Sequence, residues 1–180
     1  MLSINANKDS IQLTTSNKVK VNLVLNPNVK DLDPENHVTL LANKSFSDVW
    51  ADNARTISLP GQYGRNDLEI NCQQDKNGKL FYNVQLDNLK VGLVPSLESD
   101  EELVLESNSD LVVINCEKAK TDKVIGFLNN LAAKTALVIG SENTLAELVE
   151  KSKLSFQEVE KDYKHKSTNS ESLQLYKFVV

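Results

Sequence analysis

The sequence predicts a layered mixed α/β fold in one domain that spans residues 1–180. Three observations lead to this prediction. Short runs in the first half alternate between apolar and polar residues, which is typical of strands with one buried face. The second half contains continuous apolar runs, typical of strands covered on both faces, and these runs alternate with segments of helical spacing. The chain has 40% hydrophobic and 25% charged residues, as expected of a globular domain.

The first half of the chain is predicted to be almost entirely strands and turns. Residues 16–18 form a plausible hairpin turn, and Pro27 ends a strand because proline cannot donate to a central ladder. The Asn77-Gly78 pair favours a tight primed turn between two further strands. Residues 56–59 lead into a turn-rich stretch at 60–64. The six predicted strands are 11–15, 19–25, 38–42, 68–72, 79–86 and 89–94.

The second half alternates strands with helices. Residues 110–116 and 135–140 are apolar throughout and predict buried strands. Between them, 119–133 carries apolar residues at helical spacing. Ser141 then caps a helix that runs through residue 150, and 173–179 alternates cleanly as a last strand.

Composition excludes several classes of function. A net charge of −5 and a pI near 5.1 argue against nucleic-acid binding, which clustered Lys and Arg drive. Two cysteines are too few for a disulfide framework, and two histidines, His37 and His165, exclude any mechanism that needs a histidine cluster. No apolar run reaches the roughly 20 residues of a membrane helix, and the first residues lack the pattern of a secretion signal. We therefore expect a cytoplasmic protein that does not bind membranes.

The order of these elements, with Leu59-Pro60-Gly61-Gln62-Tyr63 in the middle, resembles the metallo-β-lactamase fold. Within that superfamily it resembles the compact bacterial branch of ascorbate-phosphate-lactonase-like hydrolases, whose members carry a Pro-Gly-Glu-Tyr-Glu turn. The resemblance covers nearly the whole chain, and residues 159–166 look like the family's loop before the last strand. It implies a four-layer αββα sandwich of reduced size.

The departures from the family are more informative than the match. The family's His-x-His-x-Asp-His motif and its later ligands bind one or two metal ions. In this chain the corresponding positions, aligned to within a residue or two, are Asn43, Ser45, Ser47, Asp48, Leu93, Ser96 and Ser141. Hydroxyls and amides are poor ligands beside imidazole and carboxylate, and Lys44 would repel a cation if it pointed into the cleft. Without the ion no bound water is activated, so the resemblance predicts a pseudoenzyme with no metal, cofactor or catalytic residue.

Other acidic and nucleophilic residues have two interpretations each. Asp48 and Asp52 share a helical face, either as a solvated acidic surface or as part of a cation site. Acidic residues at 31–33 fit a loop, and those at 100–102 fit a helix start. Cys116 fits a small core residue better than a nucleophile. Ser141 fits a helix N-cap better than a nucleophile elbow, since the Gly-x-Ser-x-Gly pattern is absent.

Two clusters of residues each have two interpretations. Lys161, Lys164, His165 and Lys166, with Tyr163 between them, form either a solvated loop or a nucleic-acid patch, and interleaved acidic residues favour the loop. Phe46, Trp50 and Tyr63 either line the remnant cleft as an interaction surface or are ordinary core residues.

The predicted function is that of a non-catalytic protein-interaction or structural subunit, with a protein partner or with self-association. One alternative is a hydrolase with an altered or metal-free site that uses Asp48, Asp52, Ser141 or Lys44. The other is a small-ligand or RNA-binding module built on the same cleft.

Overall fold

Two β-sheets stacked face to face form the body of the protein. The computed structural model describes residues 1–29, 37–50, 55–65, 68–97, 105, 108–165 and 172–180. In these ranges the sheets have six and eight strands. A single apolar cluster contains buried residues of both sheets, so the main core lies between them.

The smaller sheet combines hairpins with parallel pairs. Its strands are β1 Leu2–Ala6, β2 Ser10–Thr15, β3 Lys20–Val24, β4 His37–Leu41, β5 Thr56–Ile57 and β13 Tyr163–His165. They lie in the order β13-β1-β2-β3-β4-β5. The pairs from β13 to β3 are antiparallel, whereas β3, β4 and β5 are parallel.

The larger sheet is antiparallel on one side and parallel on the other. Its strands are β6 Gly61–Arg65, β7 Leu68–Gln74, β8 Leu80–Leu86, β9 Leu89–Val94, β10 Leu111–Asn115, β11 Thr135–Gly140, β12 Gln157–Val159 and β14 Gln174–Val179. They lie in the order β12-β14-β11-β10-β9-β8-β7-β6. Strands β9, β10, β11, β14 and β12 are parallel, so their carboxyl ends meet at one edge of the sandwich.

Two helices cover the outer face of the larger sheet. α2 (Thr121–Asn129) and α3 (Glu142–Ser152) bury apolar residues against a second core that includes residues of β10 and β11. After β4, the described residues form a 3-10 helix, Lys44–Phe46, and α1, Ser47–Trp50. No helix in the described part of the chain is long and apolar enough to cross a membrane.

The structure confirms the strands and helices predicted from periodicity and corrects five segments, of which four follow here. The predicted helix at 119–133 is shorter, since α2 ends at Asn129. Residues 60–64 contain strand β6 rather than turns alone. β1 and β12 were not predicted: three residues are too few to reveal a period in β12, whereas β1 alternates apolar and polar residues and was overlooked. The acidic residues at 31–33 and 100–102 and Asp52 lie outside the described residues.

The prediction of a solvated loop at 161–166 is wrong for its centre. Tyr163 and His165 belong to β13, pair with β1 and are buried, while Lys161 and Lys164 are exposed. The alternation of buried and exposed residues is that of a strand, but three residues are too few to reveal a period in the sequence. The exposed lysines therefore do not share a surface with the imidazole.

His165 is buried in a setting that disfavours its charged form. It is 1% exposed, and its Nδ1 lies 3.3 Å from the Tyr163 hydroxyl. Its Nε2 is buried without a hydrogen-bond partner in the described part of the protein. Burial lowers the pKa of His165; Lys134 and the chain's amino terminus lower it further, whereas Asp110 opposes them. Folding therefore favours the neutral imidazole.

We expect this histidine to destabilise the fold in mild acid. Because its folded pKa lies below the unfolded value near 6.5, the unfolded chain takes up the proton first as the pH falls. The stabilising contribution is complete above about pH 6.5 and is lost as the pH falls below that value. Unfolding in urea at about pH 7.5 and about pH 5.5 should show a smaller pH dependence for His165→Gln than for the wild type. Equal pH dependence in both proteins would contradict this assignment.

Candidate functional site

A cleft of about 700 Å³ lies where loops from both sheets meet. The larger sheet contributes residues that follow the carboxyl ends of its parallel strands: Ser96 follows β9, Glu117 follows β10 and Ser141 follows β11. The smaller sheet contributes the β1–β2 turn, residues after β3 and residues after β4. Loops at the carboxyl ends of parallel strands are a common place for ligand sites, and the volume is that of a small-molecule pocket.

Three of the seven positions predicted to replace metal ligands line this cleft, namely Asn43, Ser96 and Ser141. Leu93 does not: it is fully buried in the core between the sheets. Ser45 belongs to the 3-10 helix and Ser47 and Asp48 to α1, and none of them is among the residues that line the cleft. Lys44, which was considered as a charge in the cleft, is exposed and likewise absent from its lining.

Asn43 is the N-cap residue of the 3-10 helix Lys44–Phe46, and its side chain makes the capping hydrogen bond. Its backbone is extended, with φ −145° and ψ 140°, and its Oδ1 accepts a hydrogen bond of 2.8 Å from the Ser45 N–H. Gly78 lies beside this amide with a left-handed backbone, φ +78°, and a Cβ there would be in ordinary contact with the Oδ1 at 3.6 Å. The amide oxygen is therefore engaged in capping, as expected for an N-cap asparagine.

Ser141 occupies the N-cap position of α3, as predicted, but its hydroxyl does not make the usual capping bond. The Oγ lies 2.9 Å from the Thr144 hydroxyl and makes no bond to a helix N–H. Instead, the Ser141 N–H donates to the Glu117 carboxylate at 2.6 Å. A carboxylate beside a helix N-terminus is stabilised by the helix dipole. Glu117 thus supplies the negative charge that this helix end attracts.

Ser96 lines the cleft with a side-chain hydroxyl that is not hydrogen-bonded to any described residue. Its Oγ is buried and has no hydrogen-bond partner within the residues that the structure describes. A buried hydroxyl without a partner costs about 1–3 kcal/mol relative to one that is satisfied.

The residues of the cleft do not fit a zinc ion. Imidazole and thiolate side chains are absent from its lining, and its two side-chain carboxylates are Asp9 and Glu117. Asp9 accepts a bond of 2.7 Å from the Asn26 amide, and Glu117 accepts one from Ser141. Lysines 8, 79 and 118 line the same cleft and repel cations. Nowhere among the described residues do three His, Cys, Asp or Glu side chains form a group that could hold a metal.

Of the three aromatic residues considered as an interaction surface, Tyr63 lies apart from Phe46 and Trp50. Phe46 lines the cleft and packs against the main core. The indole N–H of Trp50 donates to the Pro27 carbonyl at 3.2 Å, and its ring also packs on the core. Tyr63 lies on β6, its hydroxyl donates to the Leu59 carbonyl at 2.9 Å, and it borders a different groove of about 390 Å³. The expected common surface is therefore absent.

The two cysteines are core residues. Cys116 is fully buried and its thiol donates to the Ile139 carbonyl at 3.1 Å. Burial raises the pKa of Cys116 to about 12 and that of Cys72 to about 11. Both are thiols at neutral pH, so neither is an activated nucleophile.

Comparison with known protein structures identifies the fold. No protein-family model matches the sequence, and no curated protein matches it either. A metallo-β-lactamase superfamily protein from Thermotoga maritima, named as a zinc-dependent hydrolase, has a similar structure, with a TM-score of 0.66. The two sequences are 11% identical, and the match covers 99% of this chain and 100% of that one. A protein from Parabacteroides distasonis named as a metal-dependent hydrolase has a TM-score of 0.57 and 12% identity over 83% of this chain and 87% of its own.

A third similar structure is the metallo-β-lactamase fold protein YhfI from Bacillus subtilis, with a TM-score of 0.53, 8% identity, and coverage of 84% of this chain and 91% of that one. At these identities the likeness shows the fold alone. The chain therefore has the metallo-β-lactamase fold, and the predicted mixed α/β fold class is confirmed.

Sequence reasoning missed the lysines of the cleft. Lys8 lies in the β1–β2 turn, Lys79 in the turn before β8 and Lys118 after β10. These positions are far apart in the chain and share no spacing. The one available signal was that Lys118 follows an apolar strand, as Ser141 does, and parallel strands end at the same edge of a sheet.

Proposed function

We propose that this chain is a cytoplasmic pseudoenzyme of metallo-β-lactamase fold, which acts as a protein-interaction or structural subunit and not as a metal-dependent hydrolase. We place it as a degenerate relative of the bacterial ascorbate-phosphate-lactonase-like branch. The observation that carries the proposal is the lining of the cleft, where the three aligned ligand positions are Asn43, Ser96 and Ser141, imidazoles are absent, and lysines lie nearby.

The energetic argument concerns both donors and charge. A transition metal is held by deprotonated or neutral nitrogen, sulfur and carboxylate donors. Here Asn43 caps a helix and Ser141 bonds Thr144. Each lysine ammonium in the cleft adds a repulsive interaction with a divalent cation. Without a bound ion, the water that attacks the substrate in metallohydrolases keeps its high pKa.

An exposed sheet edge supports the interaction role. β6 is the outermost strand of the larger sheet, and no further strand pairs with it among the described residues. Beside it Leu59 is 51% exposed and Tyr63 is 36% exposed. An edge strand presents backbone donors and acceptors that another strand can pair with, and apolar side chains nearby add contact area. A protein partner or a second copy would meet both features here.

Elemental analysis tests the loss of the metal site. Protein purified without chelator, incubated with excess zinc or manganese and desalted should retain less than about one tenth of an equivalent of metal. Its melting temperature should be unchanged by EDTA, because a metal that binds only the folded state would stabilise it. Stoichiometric metal, or an activity that a chelator abolishes, would overturn the proposal. Affinity purification from the native cell then identifies the partner.

A second candidate function is favoured by one observation. The cleft remains open at about 700 Å³ and is lined with lysines, amides and hydroxyls. If the fold served only as a structural element, side chains would be expected to fill the cleft, and they do not. A small-ligand-binding module on the same cleft accounts for this.

A further inference from the structure

We propose that β6 pairs antiparallel with β6 of a second copy of this chain, around a two-fold axis at Tyr63, so that the two larger sheets join into one. The inference rests on the interaction role proposed above and names the partner of that edge. Two identical strands that are related by an axis perpendicular to their sheet run antiparallel and present the same surface to each other. Tyr63 is the central residue of Gly61–Arg65, so an axis there aligns all five positions.

The backbone edge of β6 is accessible to a further strand. No strand pairs with its outer side within the described ranges. Positions 61–64 carry no charge, whereas edge strands are commonly protected by lysine or another charged residue. The Tyr63 hydroxyl donates to the Leu59 carbonyl at 2.9 Å, and a Cβ at Gly61 would lie 3.6 Å from the Tyr63 ring. The ring therefore covers Gly61 on one face of the strand and not its edge.

The outer face of β6 contains a gap beside a carboxylate. Gln62 and Gly64 lie opposite Asn71 and Glu69 of β7, on the side of the sheet that points away from the main core. A Cβ at Gly64 would meet no atom within 4 Å. The gap opens into the groove of about 390 Å³, whose lining includes Gln62, Gly64 and Glu69. A side chain from a neighbouring strand has room to enter here.

Pairing around Tyr63 places Gln62 of one copy directly opposite Gly64 of the other. The Gln62 side chain then lies over Gly64, and its amide donates to the Glu69 carboxylate on the adjacent β7. Two strand spacings, about 10 Å, separate the two residues, and two extended side chains with a hydrogen bond span that distance. Gln62 and Glu69 are exposed and make no side-chain hydrogen bond or ion pair in the described part of the protein. The two-fold axis forms this contact twice.

The dimer is expected to be reversible because its interface is small. Five residues on each strand bury less surface than the roughly 1,200 Å² of a standard stable interface. We therefore expect a dissociation constant of about 0.1 mM, within the range of transient complexes.

Two lysine substitutions of equal charge test the edge. Gly64→Lys places an ammonium group opposite Glu69, which favours the fold of the monomer, but the new side chain fills the gap that Gln62 of the second copy enters. Gly126→Lys is the control, because Gly126 is exposed on α2 and a Cβ there also meets nothing within 4 Å. Circular dichroism and the melting temperature show whether both variants are folded.

Sedimentation equilibrium measures association between about 5 µM and about 1 mM protein. The wild type and Gly126→Lys should show the same equilibrium between monomer and dimer. Gly64→Lys should associate at least about tenfold more weakly.

Disulfide trapping tests the register. Only a residue on the two-fold axis faces its own copy, so Tyr63→Cys brings two sulfur atoms together, with Cα atoms about 4.5–5.5 Å apart. In Glu69→Cys, three strand spacings, about 14 Å, separate the two introduced thiols. Oxidation with copper phenanthroline should therefore yield a covalent dimer of Tyr63→Cys and leave Glu69→Cys monomeric. The native Cys72 and Cys116 are buried and do not compete.

Three results would each overturn the pairing: a wild type that is monomeric at about 1 mM, equal association of the two lysine variants, or equal cross-linking of the two cysteine variants. A monomeric wild type that binds a different protein, with that binding lost in Gly64→Lys, would overturn the second copy as partner and leave the interaction role intact. The metal test is separate, since stoichiometric metal would overturn the pseudoenzyme proposal and not the dimer.

Discussion

Replacing Tyr82 by phenylalanine is expected to lower the free energy of unfolding by about 2–3 kcal/mol. Tyr82 lies on β8 of the larger sheet, is fully buried and reaches across the core to the smaller sheet. Its hydroxyl donates to the Leu41 carbonyl at 2.7 Å, lies 3.2 Å from the Ile57 carbonyl and accepts from the Leu41 N–H at 3.1 Å.

The Tyr82 hydroxyl matters because strand β5 ends before it can pair with Leu41. β5 pairs with β4 through Thr39↔Thr56 and Leu40↔Ile57 and ends there, so the backbone groups of Leu41 have no partner on β5. The Tyr82 hydroxyl takes the place of that missing partner. Removing it leaves a buried N–H and a buried carbonyl unsatisfied, and each such group costs about 1–3 kcal/mol. Burial also raises the pKa of Tyr82, so the hydroxyl stays protonated and keeps donating.

Urea unfolding measures the effect, and Tyr176→Phe is the matched control. The Tyr176 hydroxyl is partly exposed and makes only a long contact of 3.5 Å with the Gln174 side chain. Its loss should change the free energy of unfolding by less than about 0.5 kcal/mol. Similar values for the two variants would show that the hydroxyl of Tyr82 does not hold the sheets together.

Replacing Gly140 by alanine is expected to destabilise the protein by about 1–3 kcal/mol. Gly140 ends β11, and a Cβ there would lie 2.8 Å from the Cys116 Sγ. Cys116 is fully buried, so its sulfur has little room to move. Gly126→Ala is the control, because a Cβ in the middle of α2 meets nothing within 4 Å. It should stabilise the helix by about 0.5–1 kcal/mol.

A double-mutant cycle identifies the cause of the Gly140 effect. Cys116→Ala removes the sulfur, so Gly140→Ala should cost less in that background than in the wild type. Strict additivity of the two substitutions would show that the Cys116 contact is not responsible. Since Gly140 directly precedes Ser141, a shift here would also move the wall of the cleft.

Most of the secondary structure was predictable because local periodicity reports which side of an element is buried. Residues 68–72 alternate because only one face of β7 points into the main core, and 135–140 do not because β11 is covered on both faces. The same reasoning failed for β13, whose three residues look polar although Tyr163 and His165 are buried. Their burial depends on pairing with β1, at the other end of the chain.

The candidate site was predictable in part. Asn43, Ser96 and Ser141 follow strands whose carboxyl ends meet, so their grouping in the cleft followed from the resemblance. Leu93 was misplaced because the expected alignment carried an uncertainty of a residue or two, and a shift within a strand turns a side chain from a cleft into the core. Tyr63 was misplaced because the proline-glycine turn leads into the far edge strand.

By itself the amino-acid sequence determined the alternation of strands and helices and the presence of two histidines, neither of which falls where the resemblance aligns metal ligands. Both are properties of neighbouring residues or of single positions. Only the tertiary structure decided that Lys8 and Lys118 share a cleft, that Tyr82 completes a strand of the opposite sheet and that His165 is buried. The physical reason is that these contacts join residues far apart in the chain, and sheet register and packing bring them together without a local pattern.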